Sequence, residues 1–348
     1  MQTLPAWQKI TQLKGRWYLW ENDLFKQGMK RVSNLYEKII SLENLRKADE
    51  VAQKGKQKQY GVVLHNQNKE ADILKLHKML KSKTYKTSEY QVFKVFEPKE
   101  RDVYKLPYFP DRIMHHAIMI HLEKLFVSVF TTDTYSCIKG KGIHAASDKL
   151  KLTLKDVPGT KYCLKLDIKK FYPNIDHDVL KMLLRRKIKD QDLIWLLDEI
   201  IDSADGLPIG NYLSQYFANY FLTGFDHWIK ENKKVKYYFR YADDIVILSG
   251  NKKYLHSLLG EIKVYLSEKL KLDVKENYQV FPVSERGIDF LGYRFYHEYV
   301  LLRKSIKKRF AKAVSKNKDR SVLAAYWGWA KHCNSKHLIK KLIPDEKF

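Results

Sequence analysis

The chain has 348 residues, with 65 Lys+Arg against 40 Asp+Glu and a formal net charge of +25. Hydrophobic residues make up 45%, enough apolar side chain for a core, which excludes a disordered chain, and the length suits two or three subdomains. Cys137, Cys163 and Cys333 form no Cys-x-x-Cys pair, which excludes a stapled scaffold and reads as reduced thiols of a cytosolic protein.

The N-terminal MQTLPAWQKITQLKGRWYLW has no uninterrupted apolar core after its first charge, so no secretory signal is expected. No run reaches the ~18 apolar residues of a membrane span. A cytoplasmic location with no membrane partner follows as the expectation. Residues 1–28 carry Trp7, Trp17 and Trp20 and read as an extra helical segment, its tryptophans either packed in a core or facing a partner. A helix is expected over 29–50, and another over 70–82 from the spacing of Ile73, Leu74, Leu76, Met79 and Leu80. Tyr90–Tyr108 reads as extended. A helix over Arg112–Phe130 carries His115, His116 and His121, which point in different directions and read as structural rather than as metal ligands.

Lys161–Ile168 alternates as a strand, and helices are expected near 177–187, 190–203 and 213–230. Val235–Leu248 reads as a hairpin broken at Ala242–Asp243. A helix over 251–270 follows, then strands over 278–283 and 288–293 that close the sheet. The remainder, from Leu302, is helical and basic.

Basic residues cluster at Lys54–Lys58, Lys181–Lys189 and Arg303–Arg320, and 23 tyrosines are interleaved with them. Cations for phosphates with aromatic faces for bases point to nucleic acid. A solvated basic surface is the bland alternative for any one run.

Asp167 ends the strand Leu164-Lys165-Leu166-Asp167-Ile168, and Asp243 and Asp244 sit at the hairpin tip. With both strands in one sheet, three carboxylates converge at one end. They repel and raise one another's pKa unless cations neutralise them. Mg²⁺ suits such hard oxygen donors, and two ions about 3.5–4 Å apart catalyse phosphoryl transfer. An Asp-Asp pair is common in solvated turns, but this one lies between the apolar runs Tyr237–Phe239 and Ile245–Leu248, where unpaired acids are costly.

At these residues the sequence resembles a reverse transcriptase. Tyr241-Ala242-Asp243-Asp244 is similar to the family's YxDD box, and Lys165–Tyr172 to its first catalytic-aspartate motif. Leu207–Gln215 is similar to its glycine loop, and Phe290-Leu291-Gly292-Tyr293 to its primer grip. The subgroup resembled is the reverse transcriptases of diversity-generating retroelements. Ile209-Gly210-Asn211 with Ser214-Gln215, Asp111–Ala117, the Gly140–His144 turn and the Gly328–Ser335 segment carry that likeness.

The resemblance implies an α+β right-hand polymerase with an antiparallel palm sheet. Residues 1–28 would be a helical extension, 29–160 fingers, 161–299 palm with the glycine loop, and 300–348 a short basic thumb. It implies RNA-templated, error-prone DNA synthesis with misincorporation opposite template adenine. Asp167, Asp243 and Asp244 would be catalytic and hold two Mg²⁺ (Mn²⁺ as substitute) together with the Ile168 carbonyl. Lys170 and Phe171 would offer backbone N–H groups to the triphosphate, and Tyr172 would crowd a ribose 2′-OH or pack in the core. Lys99 and Arg101 would clamp phosphates, and Lys275 would protonate leaving pyrophosphate. Ile209, Gly210 and Gln215 would meet nucleotide and template, Ile209 lacking the amide that could read them. Implied partners are template RNA, primer and cDNA strands, dNTPs and an oligomeric accessory variability protein. Nothing after Ser335 resembles an endonuclease or RNase H domain. The alternatives are a retron, abortive-infection or group II intron-type reverse transcriptase, or a non-catalytic protein that only binds RNA.

Overall fold

The computed structural model describes residues 31–96, 100–316 and 319–343. The expected N-terminal segment with its three tryptophans, and Lys99, lie outside them. The chain forms two compact units, one holding residues up to Thr131 with Lys170–Trp228, the other Thr132–Lys169 with Ile229 onward.

The first unit is mainly helical. The helix expected over 29–50 is two helices, Tyr36–Ile40 and Leu42–Gln53, because Ser41 leaves helical geometry and its side chain accepts from the Asn44 N–H as the cap of the second. Helix Ile113–Val127 is apolar nearly all round and buries Ile113, Met114, Ala117, Ile118 and Leu122. Asp111, fully buried before it, accepts from Tyr85 Oη (2.8 Å) and Ser88 N (3.1 Å). Helices His177–Lys187 and Gln191–Ile201 start at Asp176 and Asp190, whose carboxylates cap the Val179 and Leu193 N–H groups. The expected helix over 213–230 begins at Tyr212 and is interrupted at Leu222. Strands β1 (Gln91–Val95) and β2 (Arg101–Lys105) pair antiparallel within the stretch read as extended.

The second unit is built on a five-stranded sheet of order β3-β5-β6-β4-β7. These are β3 (Thr134–Tyr135), β4 (Tyr162–Asp167), β5 (Tyr237–Tyr241), β6 (Asp244–Ser249) and β7 (Gln279–Pro282). All pairings are antiparallel except the short edge of β3 with β5. Consecutive residues along β4 and β6 are buried, so both faces of the sheet are covered. Cys163, Val246 and Leu248 join a core with Ala146 and Leu150 of helix Ile143–Thr153, and helix Lys252–Leu270 packs across β4, β6 and β7.

The expectation that 288–293 closes this sheet is corrected. β8 (Ile288–Phe290), β9 (Tyr293–Phe295) and β10 (Val300–Leu302) form a separate three-stranded sheet. The chain reverses at Leu291-Gly292, both with positive φ (51° and 85°). A Cβ on Gly292 would collide with the Trp329 ring, so the glycine admits both the turn and the tryptophan. Trp329 belongs to helix Arg320–Ala330, which with Lys304–Ser315 and Lys336–Leu342 makes up the helical, basic end of the described chain.

Candidate active site

β4 and β6 are in register so that Asp167 stands opposite Asp244. β5 pairs with β6 through Tyr241 and Asp244, leaving Ala242 and Asp243 as a two-residue turn. Ala242 takes the positive φ (53°) that such a tight turn requires. The Asp243 carbonyl accepts from Ile168 N (3.3 Å), which ties the turn to the end of β4. Beyond Asp167 the chain runs against Asp273–Lys275. Lys275 N donates to Asp167 O (2.9 Å) and Lys169 N to Asp273 O (2.8 Å). The three aspartates expected to converge therefore occupy one end of one sheet.

Their electrostatics are set by burial and by two lysines. Lys165 Nζ lies 2.5 Å from Asp244 Oδ1, and Lys275 Nζ 3.7 Å from Asp167 Oδ2. Burial pushes the Asp244 carboxyl up to about 6; Lys165 opposes this, and the charges of Asp167 and Asp243 add to it. Lys165 was not among the expected site residues. Its signal was present: two positions before Asp167 on a strand, it must share that residue's face. Arg240 was also missed. It is wholly buried inside an apolar strand, and its Nη1 donates to the Ala242 carbonyl at 3.0 Å, bracing the turn.

Among the described residues, no three His, Cys, Asp or Glu side chains stand together as a ready metal cage. The donor chemistry nonetheless fits a divalent cation. Asp167 and Asp244 offer hard oxygens from facing positions, and Asp244 retains a raised proton affinity that its lysine does not cancel. A cation there would take over the Asp244 oxygen that Lys165 now holds. Of the three histidines on helix Ile113–Val127, burial pushes His115 down to about 3, and His116, stacked on Tyr212 at 4.5 Å, down to about 4.

The remaining expected residues lie mostly in the first unit. Phe171 is buried and Tyr172 half-buried, their rings edge-to-face at 5.6 Å. Lys170 has positive φ (44°). The Tyr172 carbonyl accepts from Leu207 N (2.8 Å), linking the motif after β4 to the glycine loop. In that loop Ile209 is half-buried, and its carbonyl accepts from Tyr104 N of β2 (2.8 Å). Gly210 has φ 121°, and a Cβ there would lie 2.5 Å from the Tyr104 carbonyl. Asn211 Nδ2 donates to Tyr90 Oη (2.8 Å). Gln215 is exposed on helix Tyr212–Phe221, and exposed Arg101 opens β2 opposite Val95. The Gly328–Ser335 segment docks on the small sheet. Tyr293 Oη donates to Trp329 O (3.0 Å), and Asn334 exchanges two 2.8 Å bonds with the Val300 backbone.

The profile of the reverse transcriptase (RNA-dependent DNA polymerase) family matches residues 98–295, more than half of the chain. The chain belongs to the reverse transcriptase family. Its α+β architecture, with the antiparallel sheet carrying the YxDD hairpin, is that of a right-hand polymerase. Protein YkfC of Escherichia coli (strain K12) is 25% identical over 234 residues, 54% of this chain and 61% of that protein. The group II intron-encoded protein LtrA of Lactococcus lactis subsp. cremoris is 22% identical over 299 residues, 64% of this chain and 49% of that protein. The retron Ec73 reverse transcriptase of Escherichia coli is 24% identical over 304 residues, covering 77% of this chain and 94% of that enzyme. The chain thus spans 61% and 49% of the lengths of YkfC and LtrA.

Proposed function

We propose that this reverse transcriptase-family chain is an RNA-directed DNA polymerase that extends a primer 3′-OH on an RNA template, and that it serves a diversity-generating retroelement. The observation that carries the polymerase reading is Asp167 facing Asp244 across β4 and β6, with Asp243 in the adjoining turn. A protein that merely binds RNA gains nothing from three acids at one sheet end, because they repel phosphate.

In this reading Asp167, Asp243 and Asp244, with the Ile168 carbonyl, hold two Mg²⁺, for which Mn²⁺ substitutes. Bound there, the ions supply activation of the attacking hydroxyl and charge compensation for the leaving pyrophosphate. Lys275, beside Asp167, supplies the pyrophosphate proton. Lys99 and Arg101 hold phosphates, the Lys170 and Phe171 N–H groups face the triphosphate, and Tyr172 excludes a 2′-OH. Ile209, Gly210 and Gln215 meet nucleotide and template. Residues 29–160 then serve as fingers, 161–299 as palm and 300–348 as thumb, working in the cytoplasm with an oligomeric accessory protein.

The retroelement assignment rests on the Ile209-Gly210-Asn211 loop and the Gly328–Ser335 segment. A branched apolar side chain at position 209 offers no hydrogen bond to a base, so discrimination that depends on one is lost. The test is to sequence cDNA made from the cognate RNA with the partner protein present. Errors concentrated opposite template adenine are expected. Equal error rates opposite all four bases would remove the retroelement assignment and leave the polymerase intact. The second reading, a retron or group II intron-type enzyme, is favoured by the likeness covering 94% of a retron reverse transcriptase. A template repeat, variable repeat and accessory gene beside the coding sequence decide between them.

A further inference from the structure

The second unit carries another basic feature, at the end of β4 remote from the carboxylates. Asp167 is the last residue of β4; Thr160 lies just before its first, Tyr162. His297 Nε2 lies 3.2 Å from Thr160 Oγ1, so the β9–β10 turn sits at that starting end. Beside it opens a cleft of about 410 Å³ whose lining includes Lys151, Lys155, Tyr299, Lys331 and His332. Glu298 is the one acid in the lining.

The cleft is partly built. Lys151 Nζ donates to His332 O (2.7 Å) and meets Asp148 Oδ1 at 3.2 Å, which fixes the ammonium at the rim. The His332 ring is backed by His144, centroids 3.8 Å apart. Tyr299, 41% exposed, stacks on Tyr296 at 4.5 Å and has its ring backed on one side. In the Gly328–Ser335 segment, Trp329, Asn334 and Ser335 make packing or backbone contacts. Lys331 and His332, with Cys333 and Asn334, line the cleft, so this motif presents a cation and a ring to it besides its packing contacts.

We propose that this cleft binds a single-stranded stretch of RNA outside the catalytic centre, with Lys151, Lys155 and Lys331 on its phosphates and a base on the Tyr299 ring. Ammonium groups interleaved with an accessible aromatic face are the chemistry of single-strand binding. An acidic polypeptide would engage the cations and leave the ring unused. The inference extends the reading of the chain as an RNA-copying enzyme by giving the RNA beyond the copied duplex a place to be held.

The test is photo-crosslinking of 4-thiouridine-labelled single-stranded RNA to the full chain, first saturated with a short preannealed primer–template hybrid. Crosslinks in the peptides carrying Tyr299 and Lys331–His332 are expected to survive the hybrid. Lys155→Ala with Lys331→Ala should weaken single-strand binding about tenfold and lower the log–log salt slope by about 1.4, two contacts at about 0.7 each. Tyr299→Ala should weaken it further, and Lys155→Arg with Lys331→Arg should retain binding. Extension of the short hybrid should be unchanged throughout. Crosslinks that vanish on adding hybrid, an unchanged affinity and slope, or displacement by polyglutamate but not by unlabelled RNA would overturn the proposal. A wild-type chain that crosslinks in the cleft but extends nothing would sink the polymerase reading and leave this one standing.

Discussion

Lys165 and Asp244 form an ion pair at 2.5 Å on the face of the sheet that also carries Asp167. Burial and this pair act in opposite directions on the proton affinity of Asp244. Burial raises the Asp244 pKa to about 6, and Lys165 is the group that opposes the rise. Below that value the carboxyl is protonated and cannot ligate a cation. At subsaturating Mg²⁺, log kcat/KM should therefore fall with unit slope as pH drops through about 6. Removing the ammonium by Lys165→Met should move this limb to higher pH, and rising Mg²⁺ should move it lower. A limb indifferent to both would show that Asp244 does not titrate in turnover.

Arg240 should matter through the turn it braces. Its guanidinium is wholly buried and donates to the Ala242 carbonyl. Arg240→Met removes that donor and should lower kcat at least about tenfold, with KM for dNTP changed far less. Equal changes in kcat and KM, tracking a lower Tm, would mark Arg240 as a purely structural residue.

Much of this site was legible in the sequence because it is local. The YxDD hairpin needs two apolar runs and a two-residue break, and both are contiguous in the chain. The strand ending at Asp167 is equally local. What escaped depends on distant partners. The reversal at Leu291-Gly292 lies inside a short, mainly apolar run that reads as one strand, and the Trp329 ring packed over Gly292 comes 37 residues later. The Lys165–Asp244 pair joins residues 79 apart. The break at Ser41 could have been found, since a serine before Leu-Glu-Asn is a capping signal.

The glycine loop gives a sharper test. Gly210 combines φ 121° with a Cβ position 2.5 Å from the Tyr104 carbonyl. Gly210→Ala must shift the loop from β2 and should cost about 1–3 kcal/mol in stability. Incorporation should fall with it, read by denaturant midpoint and single-turnover rate on one preparation. Wild-type values for both would mean the loop accommodates a side chain.

A buried charge network should govern the first unit's stability. Asp49 and His65, neither exposed, lie 3.3 Å apart, with Lys69 2.8 Å from Asp49 and Asp72 2.8 Å from His65. Burial opposes the charged form of both. The hydrogen bonds from His65, Lys69 and Tyr108 still hold Asp49 well below the usual carboxylate range, and the two aspartates raise His65. The Asp49 contribution is present above its ordinary 3.8 and is lost as pH falls. The His65 contribution is present below its ordinary 6.5 and is lost as pH rises through the raised value. Stability should peak between those limits, and Asp49→Asn should cost about 3–5 kcal/mol there by urea denaturation.

The most direct measurement is dNTP incorporation on a primed RNA template with Mg²⁺, comparing wild type with Asp243→Asn under conditions where both are folded. Template-dependent extension by the wild type and a loss of about a hundredfold or more in the variant is the predicted result. Extension that survives the substitution would contradict the assignment of these carboxylates, and a wild type that binds the template but adds no nucleotide would contradict the polymerase itself.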